Sequence, residues 1–166
     1  MTSASALAQR LTFLARVVRR EMDWLSLTDA TLFTPDFTLD TVRSLGDKAA
    51  LAEKIDAFVS RFGRLQDSVG DKMLPLWREA LGETPGAAVD NLDRAERLGL
   101  LTSTALWLQL RKLRNQMVHD YIEDPTVLHG ALQQAHQHVT TLTSFAGAIL
   151  SDLERREIIP QPADPA

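Results

Sequence analysis

Apolar residues recur every three or four positions along most of the chain, the period of amphipathic helices packed on a common core. The first stripe, Leu7, Leu11, Leu14, Val18, Met22 and Leu25, predicts a helix from about Ser5 to Leu27. A turn-rich stretch, Thr28 to Phe37, follows it. A second helix is expected to start near Thr38–Asp40 and to run through Leu45, Ile55, Phe58, Phe62, Leu65, Val69 and Met73 to Trp77. Pro75 has no N–H and its ring crowds the preceding turn, so a kink or an end is expected there. Gly82 to Gly86 reads as a loop. A short helix from about Ala87 to Leu98 then ends on Gly99 as its C-terminal cap.

The fourth helix is expected to begin after Thr102 or Ser103, either of which can cap it. It carries Leu106, Leu110, Leu113 and Met117 on one face and ends near His119–Tyr121, ahead of Asp124-Pro125. Pro125 opens a fifth helix with Asp124 as its cap. Its stripe, Leu128, Leu132, Ala135, Val139, Leu142, Ala146, Ile149 and Leu153, alternates steps of four and three, a heptad seam suited to antiparallel packing. No alternating segment with turn signals appears, so no sheet is expected. The pattern predicts an all-α, up-and-down antiparallel bundle of four main helices plus one short helix over residues 1–157. A Pro-rich, disordered tail is expected over residues 158–166.

Composition narrows the classes. With 166 residues, 45% hydrophobic and 24% charged, the chain can close one core. The absence of cysteine excludes a disulfide scaffold, a thiolate metal cage and a cysteine nucleophile. A formal net charge of −4 argues against a uniformly basic nucleic-acid coat. Charge is uneven, however. Residues 1–20 carry Arg10, Arg16, Arg19 and Arg20 with no acid, and residues 97–119 carry Arg97, Arg111, Lys112 and Arg114 with no acid. Such islands can hold a phosphate locally. The acid-free start resembles a transit peptide, but its stripe runs straight on past Glu21 and Asp23 as one core helix. The longest apolar runs fall far short of the ~20 residues that span a bilayer. A cytoplasmic protein with no membrane association is the default expectation.

Chemistry concentrates in Leu110-Arg-Lys-Leu-Arg-Asn-Gln-Met-Val-His-Asp-Tyr121. Arg111 and Asn115, and Asn115 and His119, are four apart and share a face, while Arg114 and Tyr121 are seven apart and share another. Arginine suits bidentate phosphate binding. Histidine gives or takes a proton near neutral pH. An imidazole that deprotonates a ribose 2′-hydroxyl, with an arginine to stabilise the developing charge, is sufficient for metal-free RNA cleavage.

Arg114-Asn115-x-x-x-His119-x-Tyr121, at a helix end followed by Asp124-Pro125, resembles the signature of HEPN domains, and the His-x-Tyr ending is similar to the HepT branch. Asp93-Arg-Ala-Glu-Arg-Leu-Gly-Leu-Leu101 looks like that family's short helix and leucine-glycine turn. The resemblance implies a metal-independent endoribonuclease toxin that needs no cofactor and forms a homodimer with the motifs facing across a cleft. It implies Arg114, Asn115 and His119 as catalytic residues; Arg111, Lys112 and Arg64 are candidate substrate contacts by their charge and position. It also implies an MntA-like nucleotidyltransferase antitoxin that adds AMP to Tyr121. A catalytically silent subunit of such a nucleotidyltransferase is the alternative within the same resemblance.

Plainer readings stand beside these. Arg and His near a helix C-terminus favourably meet its dipole. Arg64, Asp67 and Asp71 share a helix face, read as a solvated strip of salt bridges rather than a cleft wall. Gly63 and Gly70 weaken that helix, so close packing is their expected reason. His129, His136 and His138 lack the companions of a metal site. Arg10, Arg16, Arg19 and Arg20 read as the wet face of the first helix rather than an RNA track. Trp24, Trp77 and Trp107 read as core or interface residues.

Overall fold

The computed structural model describes residues 2–119 and 123–164. Its regular elements among these residues are all helical: α1 (Ser3–Leu32), α2 (Leu39–Arg43), α3 (Ala49–Gln66), α4 (Leu74–Ala80), α5 (Ala88–Arg97), α6 (Thr104–His119), α7 (Pro125–Gln137) and α8 (Val139–Arg155). The all-α expectation holds, and the count of four main helices plus one does not. Where the period was read as one long helix, irregular turns divide it.

α1 runs through the stretch expected to turn. Thr28, Asp29 and Thr31 are poor interior helix formers, but tertiary contacts override that preference. Thr28 and Leu32 are buried. The Thr28 hydroxyl donates to the Trp24 carbonyl at 2.9 Å, and Asp29 meets His136 Nδ1 at 2.7 Å. Phe33 then ends the helix, packing edge-on against Phe37 and Phe58 and stacking on His136.

The expected second helix is three pieces. α2 opens on a capping box between Thr38 and Thr41. A 3₁₀ turn, Leu45–Asp47, interrupts it at Gly46 before α3 begins. Pro75 stands in the first turn of α4, and the backbone on both sides of it is helical. The seven residues Asp67–Met73 widen into a π-helix, with the Leu74 N–H bonded to the Val69 carbonyl. This wider turn sits where the proline ring would meet the carbonyl four residues back.

The fifth helix is also divided. His138, at φ −112° and ψ 9°, separates α7 from α8. The seam itself is right: all eight of its apolar residues are buried. The break lets α7 pack on α6 and α2 while α8 packs on α1, α3 and α4.

Cross-contacts set the directions. Arg61 reaches Thr28 and Ser68 reaches Glu21, so α3 and its continuation run antiparallel to α1. Arg114 pairs with Asp67 and Arg111 with Asp71, so α6 runs antiparallel to that rod in turn. Trp77 and Trp107 are fully buried at the centre, with Phe58, Phe62 and Phe145. Trp24 is not a core residue, being 47% exposed on α1. The core also outlasts residue 157: Ile159 is buried, and the exposed tail begins at Pro160. No helix among the described residues is long and apolar enough to cross a membrane.

Candidate active site

α6 is built as the sequence indicates. The Ser103 hydroxyl caps it by accepting from the Leu106 N–H at 3.1 Å. Trp107, Leu110, Leu113 and Met117 bury one face. Arg111 and Arg114 lean toward the rod formed by α3 and the π segment, whereas Lys112, Asn115 and His119 are exposed. Beyond the helix, Asp124 accepts from the Thr126 and Val127 N–H groups at 2.9 and 3.4 Å, and Pro125 takes the first turn of α7. Tyr121 lies outside the described residues.

Arg114 is held in a seat made by two residues of the facing rod, Gly63 and Asp67. Its Nη1 and Nη2 donate to Asp67 Oδ1 and Oδ2, each at 3.2 Å, a parallel two-bond fork. Its stem crosses the rod at Gly63, where an added Cβ would stand 2.7 Å from Nε. One rung further on, Arg111 pairs with Asp71 at 2.5 Å. Gly70 faces Trp107 in the same manner, with an added Cβ 3.2 Å from the indole nitrogen. Close packing is therefore the reason for both glycines, as their place mid-helix suggests.

The strip Arg64, Asp67 and Asp71 is corrected by this arrangement. Its acids bridge to α6 rather than to their own helix, and Arg64 bonds only to the Ser60 hydroxyl, at 3.3 Å, among the described residues. A groove of about 440 Å³ opens between α3 and α6, walled by Val59, Ser60, Arg64, Asp67, Arg114 and Val118. It is a mixed surface: apolar valines and Met117 flank two guanidiniums and two carboxylates.

The proposed catalytic residues do not all gather there. Arg114 and Arg64 line the groove; Asn115, His119, Lys112 and Arg111 do not. Five residues at 3.6 per turn place His119 about 140° around the axis from Arg114. Two other histidines serve packing, and His138 Nδ1 lies 3.3 Å from the Thr141 hydroxyl. His136 stacks on Phe33, and His129 stacks on Phe37.

A smaller pocket of about 130 Å³ lies between α1 and α3, lined by Glu21, Trp24, Arg61 and Arg64. Glu21 Oε1 accepts from the Ser68 hydroxyl at 3.0 Å, while Oε2 is buried without a partner among the described residues. Burial pushes the Glu21 carboxyl above its usual range, against the Ser68 hydrogen bond and the nearby charges of Arg64 and Lys72. Sequence reasoning missed this pocket, because its residues come from two helices whose pairing no single stripe reveals. No family model matches the chain, and no curated protein or solved structure matches it.

Proposed function

We propose that this chain is a HEPN-like, metal-independent endoribonuclease of the HepT type, acting as the toxin of a toxin–antitoxin pair. The observation that carries the reading is Arg114: a motif arginine, seated in a groove, on the helix that carries His119 and precedes an Asp-Pro helix start. In this reading His119 takes the proton of a ribose 2′-hydroxyl. The 2′-oxygen forms a bond to the adjacent phosphorus, the bond from phosphorus to the 5′-oxygen breaks, and that oxygen receives a proton. Arg114 stabilises the charge on the phosphoryl oxygens, and Asn115 orients the imidazole or the substrate.

The reading includes a homodimer. Arg114 and His119 of one chain point in directions about 140° apart, so a second motif across a cleft supplies the complementary imidazole. One imidazole then acts as base and the other as acid. The partner in this reading is an MntA-like nucleotidyltransferase. AMP on Tyr121 would set a phosphate beside the motif and occupy it by charge and bulk.

A second reading has its own support. Arg114 and Arg111 are both already paired with carboxylates, which suits a silent subunit that only presents Tyr121 to the nucleotidyltransferase. RNA cleavage in EDTA by the wild type and by His119→Ala separates the two. Cleavage that disappears in His119→Ala is the expected result. Intact mass after co-expression with a neighbouring nucleotidyltransferase reads the modification. Added AMP with no cleavage by unmodified protein would leave the silent subunit.

A further inference from the structure

The pocket between α1 and α3 pairs an exposed indole with two arginines. Of the three tryptophans, Trp77 and Trp107 are fully buried, and Trp24 alone is open, at 47%. The Arg61 guanidinium lies 5.0 Å from the Trp24 ring centroid and bonds to Thr28, so it is fixed against the indole. Arg20, one turn earlier on α1, is exposed and carries no ion pair or hydrogen bond among the described residues. Arg64 has no ion pair among them either.

Arg64 lines this pocket and also the groove that holds Arg114. The two cavities are therefore neighbours across one side chain. From Arg61 to Asp67 the helix rises only about 9 Å. The local acids oppose a phosphate weakly. Asp67 is committed to Arg114, Glu21 is part-buried and bonded to Ser68, and Asp23 points about 100° around α1 from Trp24. Asp56, about two turns before Arg64 on α3, is the exposed acid lining the larger groove.

An exposed indole beside guanidiniums is a combination that binds single-stranded nucleic acid. Bases stack on the ring, and arginines hold the flanking phosphates. We propose that the Trp24 pocket is a stacking subsite for one base of single-stranded RNA, with Arg20 and Arg64 on the flanking phosphates, leading the strand toward Arg114. This rests on the reading of the Arg114 groove as an RNA site. It adds a place where the strand is gripped away from the reacting phosphate.

Intrinsic fluorescence tests it directly, since Trp24 is the tryptophan that solvent and ligand can reach. The probe is an eight-nucleotide oligoadenylate titrated into His119→Ala protein, which keeps the strand intact. Saturable quenching that weakens with added salt is expected, and it should vanish in Trp24→Phe. By an independent binding measurement, Trp24→Ala should raise Kd about tenfold. Arg64→Gln should weaken binding and flatten the salt dependence. Unchanged affinity in Trp24→Ala would overturn the proposal. So would Trp24 emission that shifts with protein concentration before RNA is added, because a second copy would then cover the ring. Cleavage by the wild type without quenching sinks the subsite and spares the ribonuclease; quenching without cleavage does the reverse.

Discussion

Arg114 crosses α3 at Gly63, and an added Cβ there would stand 2.7 Å from Nε and 3.2 Å from both Cγ and Cζ. The arginine's course, and so the aim of its guanidinium, depends on the absence of one methyl group. Gly63→Ala would raise helix propensity by about 1 kcal/mol. It would also force Arg114 aside, at a cost of the same order. The expected outcome is a change in unfolding free energy within about 1 kcal/mol, read by urea titration. On the proposed ribonuclease reading, RNA affinity should fall well beyond what that change explains.

Asp67→Asn tests the other side of the seat. The pair is a third exposed, with side-chain exposures of 34% and 38%, so its loss should cost only about 0–1 kcal/mol of stability. If the Arg114 groove is the RNA site proposed above, an unpaired Arg114 should then bind RNA more tightly, with a steeper salt dependence. Asp71→Asn, which frees Arg111 instead, is the companion variant. Filter binding at two salt concentrations checks the order, and weaker binding in Asp67→Asn would show that the carboxylate aims the guanidinium.

Acid should loosen the molecule at Asp152. Burial raises its pKa, but hydrogen bonds from Trp77 and Arg156, then Arg156's charge and Arg155, outweigh burial and hold it below its ordinary value. A carboxyl depressed in the folded state contributes stability above its unfolded pKa. That contribution is lost as pH falls through the folded value. Asp152→Asn should therefore cost about 1–3 kcal/mol at pH 7 and flatten the acid limb of the stability curve. Chemical denaturation at pH 7 and at pH 3 measures both.

α8 ends on a residue in the left-handed region, Glu157 at φ 59°. Its N–H bonds to the Glu154 carbonyl, and the Ile158 N–H returns to the Leu153 carbonyl at 2.9 Å. The same closure at α5 uses Gly99, at φ 76°. Glu157→Gly should stabilise by about 0.5–1 kcal/mol, and Gly99→Ala should destabilise by about 1 kcal/mol. Thermal unfolding of the two variants gives the comparison.

Periodicity located the buried faces better than the helix ends. All eight residues of the seam from Leu128 to Leu153 are buried, although the helix breaks at His138 in the middle of them. A break that costs no apolar contact leaves no mark on a stripe. Ser44-Leu-Gly-Asp47 did carry a turn signal, outweighed by the apolar stripe around it. The extension of α1 carried none, since Thr28 and Asp29 are kept helical by Arg61 and His136 from distant parts of the chain. The site divides in the same way. Ser103, Asp124 and Pro125 act locally and were readable. The engagement of Arg114 with Asp67 spans 47 residues and was not, though Gly63 and Gly70 marked where another helix would come close.

The π segment Asp67–Met73 works as a splice between two differently indexed shafts. On one side, Gly63 and Asp67 are keyed to Arg114. On the other, Trp77 is keyed to Asp152, its indole nitrogen donating at 2.8 Å. Each π turn accommodates one residue more than an α turn. Removing that residue would rotate one shaft by about 100° against the other. The chain would then have to choose between seating its motif arginine and closing its core, and the splice is what spares it that choice.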